Sequence, residues 1–134
     1  MEVSMKKVIF IASFAALLTL NLCSRGSEKE LMKNIDQNFS QENYEHALQL
    51  VEKGIKKFGE TEGLLEAKFY TFMGLNNFDD ALAVAEAGIQ KFGEKQNLLS
   101  QKYQALVLLG NYSEALEVAL KRKIFQKRNL TGAV

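Results

Sequence analysis

The sequence predicts an all-α chain: three stacked helix-turn-helix repeats of 34 residues, an α-solenoid, following an N-terminal signal segment. Three observations lead there. The stretch NYEHALQLVEKGIKKFGE from Asn43 returns as NFDDALAVAEAGIQKFGE from Asn77 and, more faintly, as NYSEALEVALK from Asn111. Apolar residues on both sides of each copy recur at helical spacing, and the start of the chain reads as export grammar rather than as fold. A period of this length marks one supersecondary unit that cannot bury its apolar face alone and stacks on its neighbours.

Composition sets the bounds. The 134 residues allow one domain at most, and a formal charge of +1 with interleaved acids and bases leaves no global field to draw in a polyanion, so nucleic acid is not an expected partner. One Cys allows no intrachain disulfide, and with no Trp or Pro the domain is held by helix packing.

The first element in chain order is the export segment. MKKVIFIASFAALLTLNLC opens on Lys6 and Lys7, runs apolar from Val8 to Leu20 and reaches Cys23. Charge followed by an apolar run is the layout of a secretory signal, and the run falls short of the roughly 20 residues that a secure membrane span needs. LNLC, followed by the polar SRGSEKE, resembles the lipobox of bacterial lipoproteins, in which a Leu three residues upstream marks the Cys that is diacylated and becomes the new N-terminus. Leu20 and Cys23 match this motif, whereas Leu22 stands where it usually carries Gly, Ala or Ser, and Asn21 also departs from it. The resemblance implies an exported, membrane-anchored lipoprotein of the cell envelope, with residues 1–22 as signal peptide, Cys23 lipidated and residues 23–27 as a tether. An uncleaved signal anchor and a chance Cys in a signal removed elsewhere are alternatives that these residues leave open.

The repeat domain comes next, over residues 28–129 in units 28–61, 62–95 and 96–129, with 130–134 as a tail. Leu65, Phe69 and Phe72 fall at i, i+4 and i+7; Leu99, Tyr103 and Leu106 repeat that spacing, and Leu31 and Ile35 begin it in the first unit, so each unit opens with one amphipathic helix. LNNF and LGNY break the pattern. Asn43, Asn77 and Asn111 then stand at the N-cap of a second helix, with Glu45, Asp79, Asp80 and Glu114 behind them to suit the helix dipole. Tyr44, Ala47, Leu48, Val51, Ile55 and Phe58 form its apolar face in the first unit, matched by Phe78, Ala81, Leu82, Ala85, Ile89 and Phe92. Gly59 and Gly93 follow the last apolar residue, where a left-handed C-cap ends a helix. Turns are expected near Gln41, Gly59, Asn76, Gly93 and Gly110.

An interval of 34 residues with a helix on each side of a turn resembles the tetratricopeptide repeat (TPR). In that family Ala47, Ala81 and Ala115 take the position where the second helix presses on the first of its own unit. Gly54 and Gly88 take a small-residue position that usually holds Ala; since a mid-helix Gly costs about 1 kcal/mol relative to Ala, they mark very close helix approach or simple sequence drift, and the same choice in both units favours close approach. The chain departs from the family in having no Pro after the second helix, in Asn38 within the first apolar stripe, and in Arg122 where the earlier units have Gly.

The resemblance also implies a function: a concave face, lined by the first helix of each unit, that holds a protein or peptide partner. The groove positions carried over are Met32, Asp36 and Phe39, then Glu66, Tyr70 and Met73, then Ser100, Gln104 and Val107. Phe39, Met73 and Val107 can equally complete the helix–helix core, which makes Tyr70 and Glu66 the leading contact candidates. The basic constellation by which some members clamp a C-terminal carboxylate is missing, since its places hold Met32, Asp36, Ala67, Asn97 and Gln101.

Catalysis has little to stand on. His46 sits in a helix's first turn beside Glu45, as a solvated residue would, and no His or Cys cluster offers metal-ligand spacing. No phosphate-binding glycine loop occurs, and no cofactor is expected. The run LKRKIFQKR suits the C-terminal end of the last helix through its dipole, or offers cations to anionic lipid headgroups. The expected function is therefore that of a membrane-tethered, non-enzymatic TPR-like adaptor. The alternative is a structural envelope protein that self-associates into homo-oligomers because no separate capping helix follows the third unit.

Overall fold

The computed structural model describes residues 27–132, so the readings on the signal peptide, on Cys23 and on residues 24–26 of the tether lie outside it. Among the described residues there are six helices and no strand. They are α1 (27–40), α2 (Tyr44–Phe58), α3 (Glu62–Gly74), α4 (Phe78–Phe92), α5 (Gln96–Leu108) and α6 (Tyr112–Leu130). Each connection is three residues long, which folds every helix back against its predecessor. The result is an α-solenoid-like succession, α2 on α3, α3 on α4, α4 on α5 and α5 on α6.

Two kinds of turn alternate. After α1, α3 and α5 the chain makes a Schellman turn, with Glu42, Asn76 and Gly110 at φ 55°, 56° and 76°. The N–H groups of Asn43, Asn77 and Asn111 donate to the carbonyls of Asn38, Phe72 and Leu106, each at 2.9 Å. These asparagines occupy the N-cap positions of α2, α4 and α6, but their side chains make no capping bond to the helix backbone. The Asn77 and Asn111 amides turn instead to the carboxylates of Asp80 and Glu114, so the expected N-cap bond is corrected to a side-chain pair one turn inside the helix.

The second kind of turn follows α2 and α4. Gly59 has φ 81° and ψ −179°, and Gly93 has φ 83° and ψ 174°. This is the extended positive-φ region, which is essentially restricted to glycine, and not the left-handed helical cap that the sequence suggests. The Gly59 and Gly93 N–H groups still close the last helical turn onto the carbonyls of Ile55 and Ile89, at 2.8 and 2.9 Å. Thr61 then caps α3, its hydroxyl accepting from the Leu64 N–H at 3.3 Å and donating to Glu28 at 2.7 Å.

The core is a chain of three small clusters, as a solenoid requires. Ile35, Val51, Leu64 and Ala67 join α1, α2 and α3; Phe69, Ala81, Ala85 and Ala105 join α3, α4 and α5; Leu99, Leu106, Ala115 and Val118 join α5 to α6. Ala47, Ala81 and Ala115 are buried, and Gly54 and Gly88 lie against leucines. A Cβ on Gly54 would meet Leu31 Cδ2 at 2.6 Å and Leu64 Cδ2 at 2.8 Å, and one on Gly88 would meet Leu98 Cδ2 at 2.9 Å. In the third position Arg122 lays its guanidinium 5.2 Å from the centre of the Tyr103 ring. Asn38, the polar break in the first stripe, returns its amide to the Asn34 carbonyl at 2.8 Å.

Candidate partner-binding groove

Met32, Asp36 and Phe39 on α1 and Glu66, Tyr70 and Met73 on α3 share the spacing i, i+4, i+7, which places each trio along one helix face. The two faces line a single cavity of about 590 Å³. Tyr44 at the start of α2 joins its wall, and Gly63, Ala67 and Gly74 of α3 complete the lining. Small residues open this space, because no side chain, or only a methyl, projects from three places on α3.

The aromatic wall is held in place by its neighbours. Tyr44 lies so close over Gly74 that a Cβ there would be 2.5 Å from its ring, and its centroid is 5.9 Å from that of Phe39 in a tilted pair. Tyr70 stands edge-on to the buried Phe69 ring at 5.2 Å and keeps 42% of its surface exposed. Met32 and Phe39 also pack on the α1–α3 cluster and Met73 on the next one, so these residues serve core and cavity together. Asp36 is exposed and Glu66 half-buried, and neither carboxylate forms an ion pair among the described residues. Such a lining suits an apolar or aromatic side chain with a cationic group beside it.

The other three groove candidates lie elsewhere. Ser100 of α5 donates its hydroxyl to the Gln96 carbonyl at 2.9 Å, Gln104 is exposed, and Val107 packs into the cluster of α5 and α6. None of the three lines the cavity. Of the clamp positions, Met32, Asp36 and Ala67 line the cavity, Asn97 donates to Glu62 at 3.2 Å, and Gln101 is buried. Sequence reasoning did not place Tyr44, Gly63 or Gly74 in this site. The signal was Gly63 and Gly74 themselves, two glycines inside one helix that helix propensity disfavours.

Charges tie successive helices together outside the cavity. Lys95 and Asn97 hydrogen-bond Glu62 at 2.6 and 3.2 Å, and these bonds, Lys95 first, hold the Glu62 carboxyl below its ordinary pKa. Lys102 of α5 reaches Glu86 of α4 at 2.9 Å and Glu114 of α6 at 2.8 Å. Partial burial works to lower the Lys102 pKa, but the bonds to Glu114 and Glu86 together outweigh it and leave the group above the ordinary lysine value. His46 is exposed on α2, and among the described residues no group of three or more His, Cys, Asp or Glu side chains is placed to hold a metal. No described helix is long and apolar enough to cross a membrane. In comparison with known proteins, no family model, no curated protein and no solved structure matches the chain.

Proposed function

We propose that the protein is an exported, membrane-tethered adaptor of TPR-like architecture, three 34-residue units carried on a lipidated Cys23, that binds a protein or peptide partner and catalyses nothing. One observation carries the binding part of this reading: Met32, Asp36, Phe39, Glu66, Tyr70 and Met73, from two helices, converge on a cavity of about 590 Å³, while the tether rests on the sequence of residues 6–23. Its volume lies within the range of ligand sites, and its apolar wall with two carboxylates that form no ion pair among the described residues favours a segment that presents a basic residue next to an apolar one.

The test is site-specific photo-crosslinking of the full chain in its native envelope. A photoreactive residue at Tyr70 should capture one discrete partner, Glu66→Lys should abolish the product, and the same probe at His46 on the outer side of α2 should give none. Equal products from Tyr70 and His46 would defeat the groove reading. Mass spectrometry of the mature N-terminus tests the tether: a diacylated Cys23 is expected, and an unmodified N-terminus beyond it removes the lipid anchor.

A further inference from the structure

The outer face of α6 breaks the pattern of α2 and α4. In steps of 34, Leu120 stands where the earlier helices carry Glu52 and Glu86, and Ile124 where they carry Lys56 and Gln90. Those four polar residues are exposed, as a solvent face requires. Leu120 and Ile124 are exposed too, at 55% and 58%, alongside Leu116 at 62% and Tyr112 at 69%. A spacing of four aligns Tyr112, Leu116, Leu120 and Ile124 in one slowly turning stripe.

The stripe has two origins. The counterparts of Tyr112 and Leu116, namely Tyr44 and Leu48 on α2 and Phe78 and Leu82 on α4, are half-buried, and no described helix follows α6 to cover its own pair. Leu120 and Ile124 have no such explanation, because their counterparts face water even where a helix does follow.

The surroundings of the stripe say what covers it. By helix geometry Lys123 and Lys127 run along one edge, Glu117 and then Lys121 flank the other, and Arg128 ends it, so cations outnumber the single acid. Lys121 reaches Glu94 at 2.8 Å, while Lys123, Lys127 and Arg128 have no carboxylate partner among the described residues. An apolar stripe whose C-terminal half is edged by cations, on a helix not long and apolar enough to cross a bilayer, is the arrangement of a helix lying in the membrane interface. A second copy fits less well: one face of a 19-residue helix, about 28 Å long and 10 Å wide, falls short of the ~800 Å² per partner that stable dimers bury.

We propose that α6 docks on an anionic membrane surface, with Leu116, Leu120 and Ile124 at the headgroup–acyl boundary and Lys123, Lys127 and Arg128 against lipid phosphates. The surface is separate from the groove between α1 and α3 and works whether or not that groove is occupied. Amide hydrogen exchange of the full chain tests it with phosphatidylcholine vesicles and with vesicles that also contain phosphatidylglycerol. Exchange across Tyr112–Leu130 should slow on the order of tenfold only with the mixed vesicles, and the effect should fade as salt rises. Leu120→Glu with Ile124→Gln gives α6 the outer face of α4 and should remove the effect while circular dichroism is unchanged. Equal α6 exchange on both vesicles, as when the N-terminal residues alone carry the chain to lipid, overturns the proposal. A dimer in lipid-free solution that the double variant abolishes overturns it as well and assigns the face to a second copy.

Discussion

The α1–α3 and α3–α5 junctions are built from residues 34 positions apart, yet they differ in what stands between the helices. At the first, Gly63, Ala67 and Gly74 line a cavity; at the second, the matching places hold Asn97, Gln101 and Leu108. Gln101 is 2% exposed, and its Nε2 has no hydrogen-bond partner among the described residues. Equivalent places in two successive units thus carry small residues that line a cavity at one junction and larger side chains at the other, of which Gln101 is buried while Asn97 and Leu108 are exposed. Charge differs in the same way: Lys102 joins Glu86 and Glu114, whereas Lys68, 34 residues earlier, lies 5.9 Å from the Phe72 ring centre and forms no ion pair with Glu52 or Asp80 among the described residues. Asp80 is one methylene shorter than Glu114, which shortens its reach, whereas Glu52 matches Glu86 in type and its lost pair has no structural explanation.

Substitutions test what separates the two junctions, beginning with the buried ring behind Tyr70. Phe69→Ala should cost about 3–5 kcal/mol in urea denaturation, because this fully buried ring joins α3 to α4 and α5 and backs Tyr70. Ala67→Gln gives the first junction the side chain of the second, and should abolish the Tyr70 crosslink while costing about 1–3 kcal/mol through overpacking. Retention of the crosslink would show that Ala67 is not what opens the cavity.

Smaller effects separate the units further. Gly54→Ala should destabilise by about 1 kcal/mol, because the new methyl meets two leucine side chains and the gain in helix propensity does not offset both. Gly88→Ala, whose one contact under 3 Å is with Leu98 Cδ2, should stay within about 0.5 kcal/mol of the parent; thermal melts that reverse this order would show that Leu31 and Leu64 yield more easily than Leu98. Gln101→Met keeps the shape and removes the unpaired amide, and should stabilise by about 1 kcal/mol.

Last comes the Lys102 clip. Its folded pKa is raised, so its contribution is complete below the ordinary lysine value of about 10.4 and is lost as pH rises through the folded value. Lys102→Met should therefore cost about 0.5–1 kcal/mol at neutral pH and progressively less in strong alkali, while Lys68→Met should be nearly silent at both. Denaturation curves of the two variants across that range check the sign.

The helical class, the places where each helix breaks and the face on which Met32, Asp36 and Phe39 or Glu66, Tyr70 and Met73 lie are legible in the order of amino acids. Periodicity reports these because they belong to one helix and a few consecutive residues. It also showed that Gly59 and Gly93 mark helix ends, although it misjudged their backbone conformation: a glycine there permits positive φ, while ψ is set by the direction in which the next helix must leave. Packing between helices decides that two of those faces enclose a cavity, that α5 contributes nothing to its wall, that the Gln101 Nε2 is buried without a partner among the described residues, and that Leu120 and Ile124 remain bare. Each of these depends on side chains of helices distant in the chain meeting across a gap of a few ångströms, and helical spacing within any one segment carries no information about that gap.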